Sequence, residues 1–297
     1  MNQIAMRSST TGIAKPIPQA GYKDVMVHLD GSVEDEIRIA HAEVIAAQFE
    51  AHLTGLYTNA LPDAALYAGE FGTAAIVDAC DTARRAGDAN HARLTQRFAR
   101  LGVANEVRRL ESFPGLLEKD VATETRWADL IVGSCPHGTF DCERWSNLIE
   151  TIMFNSGHGL YLVPPGFRPR QAIRTVLVGW VDTREAARAV SEALPLLGLA
   201  TQVHLASVQE AGKGKLGGAE ALADIASHLD RHGIATTVSL LPDNDAPAAM
   251  LLAEAHRVSA DLIVAGAYGH TRLREWILGG ATYDLLQSSD LPILMAH

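Results

Sequence analysis

The segment Trp127-Ala-Asp-Leu-Ile-Val-Gly133 returns as Ser259-Ala-Asp-Leu-Ile-Val-Ala265. A buried-strand run that recurs at this length is the mark of a structural unit built twice, and it constrains the fold more than any other feature of the chain. Each copy is short, apolar and β-branched, and each follows a helical pattern. Strands of this kind separated by helices lie in a parallel sheet covered on both faces.

The surrounding patterns repeat in the same order. In the first half, Val25–Leu29 reads as a strand ending in Asp30-Gly31-Ser32. A helix follows with Ile37, Ala40, His41, Val44 and Ala47 on one face. Further strands are expected at 52–57, 104–110, 129–132 and 160–163, with helices over 64–101 and 116–128. In the second half, strands are expected at 175–180, 202–208, 235–241, 261–264 and 291–295. The intervening helices begin after Asp182 or Thr183, either of which can cap, at Ala219, and at Asp245-Ala-Pro247, where an acidic cap precedes a first-turn proline. The first of these helices puts Ala187, Val190 and Leu194 on one face. The expected fold is α/β: two tandem, doubly wound, Rossmann-like parallel-sheet modules of about five strands each. Residues 1–20 read as a tail, 21–165 as the first module and 172–297 as the second. Pro164-Pro-Gly-Phe-Arg-Pro-Arg170 between them reads as a stiff, extended linker.

Composition narrows the function. A formal net charge of −10 offers no broad cationic field, which argues against nucleic acid as the main partner. The three cysteines, Cys80, Cys135 and Cys142, suggest no disulfide framework and fit a reducing compartment. Neither an apolar run of membrane-spanning length nor a signal-peptide core is evident, so the cytoplasm is the expected location.

The segment richest in chemistry runs from Gly266 to Thr282, between a buried strand and the next helix. Ligands of open parallel sheets bind beyond the carboxyl ends of the strands. Gly266 and Gly269 would let backbone approach a phosphate, and Gly279 and Gly280 stand where a helix N-terminus would present its N–H groups. Thr282 could add a hydroxyl. The spacing Gly266-x2-Gly269-x9-Gly279, with Thr282 beyond, resembles the ATP-binding signature of universal stress proteins. The resemblance runs over nearly the whole chain as two modules. It implies an adenine nucleotide, ATP or a relative, held in the second module by Gly266, Tyr268, Gly269, Gly279, Gly280, Ala281, Thr282 and Asp182. Magnesium accompanying the nucleotide stays open, and no other metal is expected. The implied role is a regulatory or stability switch in a stress response, with no catalytic residues. Slow ATP hydrolysis stays open. The implied partners are the nucleotide and, within the chain, the other module as a pseudo-dimer. Self-association of whole chains stays open.

Departures from the signature are specific. Gly280 replaces a hydroxyl residue, and Val181 stands where the family has an acid, leaving Asp182 one position late. In the first half Asp30 is in place, but Pro136 interrupts the glycine spacing after Gly133, so nucleotide is not expected there. A ligand-free interaction scaffold is therefore the first alternative. A dinucleotide-dependent oxidoreductase using Gly212, Gly214 and Gly217 is a weaker one, because that match follows the second strand of its unit rather than the first. Cys135, His137 and Cys142 have irregular spacing for zinc and read as loop side chains. Arg272 and Arg274 could face phosphate or only solvent, and Trp180 reads as core.

Overall fold

The protein, seen in a computed structural model, is described over residues 21–63, 72–135, 146–208, 215–242, 246–267 and 280–297. The first half contains β1 (Asp24–Leu29), α1 (Asp35–Phe49), β2 (His52–Ala60), α2 (Gly72–Phe98), β3 (Asn105–Ser112), α3 (Leu117–Glu124), β4 (Leu130–Ser134), α4 (Ser146–Asn155) and β5 (Gly159–Val163). The second contains β6 (Thr175–Gly179), α5 (Arg184–Leu199), β7 (Gln202–Val208), α6 (Lys215–Arg231), β8 (Thr236–Leu241), α7 (Pro247–Arg257), β9 (Leu262–Gly266), α8 (Ala281–Ser288) and β10 (Ile293–Ala296).

Among the described residues ten strands form one sheet in the order β3-β2-β1-β4-β5-β10-β9-β6-β7-β8. The order reads as a mirror about its centre. Every neighbouring pair is parallel except β5 and β10, which run antiparallel with Leu294 opposite Tyr161 and Met295 opposite Leu160. The registers also repeat: Val25 pairs with Leu53 and Leu130, and Val176 with Val203 and Leu262.

The repeated aspartate has the same task in both copies. Asp129 Oδ2 accepts hydrogen bonds from the N–H groups of Lys23 (2.6 Å) and Asp24 (3.0 Å), at the start of β1. Asp261 Oδ2 accepts from Arg174 and Thr175, both at 2.9 Å, at the start of β6. Each carboxylate thus satisfies backbone donors that the ladder leaves open, which is why an acidic residue precedes two apolar strands.

Strand alternation divides the core between the two faces of the sheet. Val25, Val27 and Leu29 of β1 pack with α1, α2, α5 and α6, while Met26 joins the cluster under α3, α4, α7 and α8. Each fully buried Leu, Ile or Val contributes ~1.5–3 kcal/mol, and both layers run without a break across the β5–β10 pair.

Several expectations need correction. On α1 the buried set is Asp35, Arg38, Ile39, His41, Ala42, Ile45 and Ala46; Ile37, Ala40 and Val44 are only half-buried and Ala47 is exposed. The face turns because Arg38 goes inward, held by carboxylates that a hydropathy pattern does not register. On α5 the buried positions are Glu185, Ala186, Ala189, Val190, Ala193, Leu196 and Leu197, with Ala187 exposed. Thr183, not Asp182, caps α5, its hydroxyl accepting from Ala186 N at 3.3 Å. The proposed cap Asp245 lies outside the described residues, and α7 starts at Pro247 from Ala246. The linker is not simply extended. Phe167 N donates to Pro164 O at 3.2 Å, and Gly166 sits at a φ of 72°, a tight turn that favours glycine. Phe167 O in turn meets His41 Nε2 at 2.8 Å, and Arg170 pairs with Asp261, so the linker is pinned to both halves.

Candidate functional site

The carboxyl ends of β6 and β9 meet where the chain order reverses in the second half, the place an open sheet offers to a ligand. Of the eight residues expected there, Asp182, Gly266, Gly280, Ala281 and Thr282 are described; Tyr268, Gly269 and Gly279 lie outside the described residues, as do Arg272, Arg274 and the Gly212–Gly214 stretch. Gly266 ends β9, and Gly280, in extended conformation, is the N-cap of α8 without a side-chain cap. Ala281 and Thr282 open that helix. Asp182 is exposed beside Val181, itself 47% exposed.

Gly266 has a packing reason of its own. A Cβ there would lie 2.5 Å from Ala186 N and 2.8 Å from Glu185 C, so the first turn of α5 rests directly on its backbone. Beside it, Glu185 is buried, and pairing with Arg184 overcomes the upward push of burial to hold its carboxyl below the usual range. Trp180 is buried, as a core residue should be.

The corresponding place in the first half is built from charges. Arg38 of α1 is 2% exposed and bridges the ends of β1 and β4. Its Nη2 lies 2.6 Å from both Asp30 Oδ1 and Asp35 Oδ1, and its Nη1 donates to Ser134 Oγ at 3.0 Å. Asp35, wholly buried, also accepts from the N–H groups of Asp30 (3.1 Å) and Gly31 (2.9 Å). Arg93 of α2 closes the group from outside, 3.6 Å from Asp35 and donating to Gly31 O at 3.2 Å. Burial would raise Asp30, but the Arg38 charge outweighs it and holds this carboxyl well below the carboxylate range. On Asp35, burial and the neighbouring Asp30 charge win over Arg38 and push the group up.

His28 sits beneath this cluster with Nε2 2.9 Å from Thr58 Oγ1. Burial first, and the Arg38 charge second, push it down from 6.5 to about 3, against Asp30. The unfolded chain takes up this proton as pH falls below 6.5, whereas the folded one waits until about 3. The stabilising difference is complete above that upper value and is lost through the window. Relative to His28→Gln, the wild type should therefore lose ~2 kcal/mol between pH 7 and pH 5, measured by urea unfolding at each pH. The comparison with the variant isolates His28 from Asp35, whose raised value acts with the opposite sign. A constant difference would show that His28 titrates in the fold as it does in the unfolded chain, and so refute the downward shift.

None of Asp35, Arg38, Arg93 or Ser134 was marked by the sequence patterns. The available signal was an Asp and an Arg three positions apart in an otherwise apolar helix face. Cys135, expected as a loop thiol, is buried at the end of β4, while His137 and Cys142 lie outside the described residues. Among the described residues no group of His, Cys, Asp and Glu could hold a metal ion, and no helix is long and apolar enough to cross a membrane.

A family model described as the universal stress protein family matches residues 172–297. The chain carries a universal stress protein domain in its second half. Solved structures extend the likeness in fold over both halves. A universal stress protein from Archaeoglobus fulgidus DSM 4304 covers 92% of this chain and 96% of its own, at 16% identity and a TM-score of 0.69. A functionally unknown protein from Pseudomonas aeruginosa PAO1 covers 93% and 92%, at 14% identity and a TM-score of 0.58. A universal stress protein family protein from Arabidopsis thaliana with AMP bound covers 40% of this chain and 88% of its own. Its identity of 15% and TM-score of 0.32 are too low for its ligand to speak for this chain. No curated protein matches by sequence. The universal stress domain contains the whole glycine segment, and its β9 and α8 put Gly266 and Gly280 at the two ends of that segment.

Proposed function

We propose that the second half, as a universal stress protein domain, binds an adenine nucleotide of the ATP class and acts as a regulatory or stability switch in a stress response. The observation that carries this reading is the placement of Gly266 at the end of β9 and of Gly280 at the start of α8, which brackets the glycine segment. Gly266 stands at the carboxyl end of β9, and Gly280, in extended conformation, is the N-cap from which α8 starts. A helix start of this kind attracts phosphate through its N–H groups and its partial positive charge. Tyr268, Gly269, Gly279, Ala281 and Thr282 complete the proposed cradle, with Asp182 at its rim. On this reading the chain is two modules, 21–165 and 172–297, packed as an intrachain pseudo-dimer through β5 and β10, and the working location is the cytoplasm.

One specific observation favours the ligand-free scaffold as the second reading: the missing Cβ of Gly266 is accounted for by α5 alone. Calorimetric titration with ATP separates the two. The nucleotide reading expects about one site per chain with a Kd in the micromolar range or weaker, because the acid and the hydroxyl of the family signature are absent. Gly269→Val should weaken that binding more than ~10-fold with an unchanged circular dichroism spectrum, since its side chain would enter the phosphate approach. Two equivalent sites, or an unaltered variant, would refute this assignment, and absence of any heat or displacement would favour the scaffold.

A further inference from the structure

The two halves answer the same structural question in opposite ways. The matched strand registers and the matched burial spacing of α1 and α5 place Asp30 against Val181, Asp35 against Ala186, Arg38 against Ala189 and Ser134 against Gly266. In the second half these positions are apolar or bare, and the helix backbone closes directly on Gly266. In the first half a guanidinium lies between the strand ends, gripped by two carboxylates and a serine. The fold therefore has no need of these charges, and burying them costs desolvation that apolar residues avoid.

We propose that Arg38 is a tethered occupant of the first crevice: the crevice is a guanidinium site that the chain fills from its own helix α1, and this closes the first half to nucleotide. The bridging geometry supports it. A ligand at this switch point would have to contact the ends of β1 and β4, and Arg38 already takes Asp30 on one and Ser134 on the other. Its Nη2 also reaches Ser32 Oγ at 3.3 Å, so donors on the outer edge of the guanidinium are directed into the site. Arg93 bears on the group from α2, and Gly31 is overlaid by Asn90 of the same helix, 2.6 Å from where a Cβ would be. The asymmetry between halves is then set by Arg38 as well as by the broken glycine spacing. This last step rests on the nucleotide reading of the second half, but occupation by Arg38 does not.

The test is rescue. In Arg38→Ala, methylguanidinium chloride should raise Tm by ~3–5 °C at tenfold excess over its Kd, whereas equal sodium chloride should not. Neither wild type nor the triple variant Asp30→Val/Asp35→Ala/Arg38→Ala should respond. If Arg38→Ala does not fold unaided, recovery of soluble protein on refolding with methylguanidinium, and not with sodium chloride, gives the same result. Absence of a selective effect overturns the occupancy. Independently, photolabelling of wild type with 8-azido-ATP should leave residues 21–165 unlabelled, and label there overturns the closure. Label nowhere would count against the nucleotide reading while leaving the rescue to decide the role of Arg38.

Discussion

Arg38→Ala is expected to destabilise the protein by ~3–5 kcal/mol, the usual cost of breaking a buried ion pair from one side. The cost does not come from the lost contacts alone. Removing the guanidinium leaves Asp30 and Asp35 facing each other in a buried place, offset by backbone N–H groups, that of Ser32 among them, and by the half-exposed Arg93. One of the two should then take up a proton near neutral pH, and Asp35, already pushed up to about 6 by burial and the Asp30 charge, is the group to do so. The loss should consequently shrink as pH falls toward 5. Replacing all three charges by their second-half counterparts, Val, Ala and Ala, should recover most of the stability, because no uncompensated charge remains. Urea unfolding of the single and triple variants checks both statements. A triple variant no more stable than Arg38→Ala would mean that α1 cannot close on β4 as α5 closes on β9.

The sheet was legible because its strands announce themselves. Runs such as Leu130–Val132 and Leu262–Val264 are buried on both faces and need no periodicity to be recognised. Their repetition carried the division into halves. The helix faces were misread where chemistry overrides hydropathy. Arg38 carries no hydropathy signal for burial, yet two carboxylates, one at the start of its own helix and one just beyond β1, hold it at the centre. The reason for Gly266 was legible only in part. A glycine after a buried strand suggests close approach, but whether a phosphate or the next helix does the approaching depends on a contact 80 positions upstream in the chain. The aspartates of the repeat show the converse case. Asp129 and Asp261 looked like the first residues of strands, whereas each instead satisfies the start of a neighbouring strand, which no local pattern reveals.

Gly266→Val should cost ~3 kcal/mol or more, and Gly266→Ala less, ordered by the volume forced against α5. The first added atom alone would stand 2.5 Å from Ala186 N and 3.0 Å from Ala186 Cα. Those are backbone atoms in the first turn of a helix, so no side-chain rotation can relieve the clash. Either α5 lifts from β9, giving up its contacts through Ala189, Val190 and Ala193, or the end of β9 leaves its ladder with β10. Ser134 makes the useful control. It stands at the equivalent end of β4, where α1 is held off by Arg38, so Ser134→Ala should lose only its hydrogen bond from Nη1, ~1–3 kcal/mol. Thermal unfolding of the three variants decides the matter. At ~2–4 °C per kcal/mol, Gly266→Val should melt well below both others. If it instead keeps wild-type stability and loses only nucleotide, the close approach at Gly266 serves the ligand and not the helix.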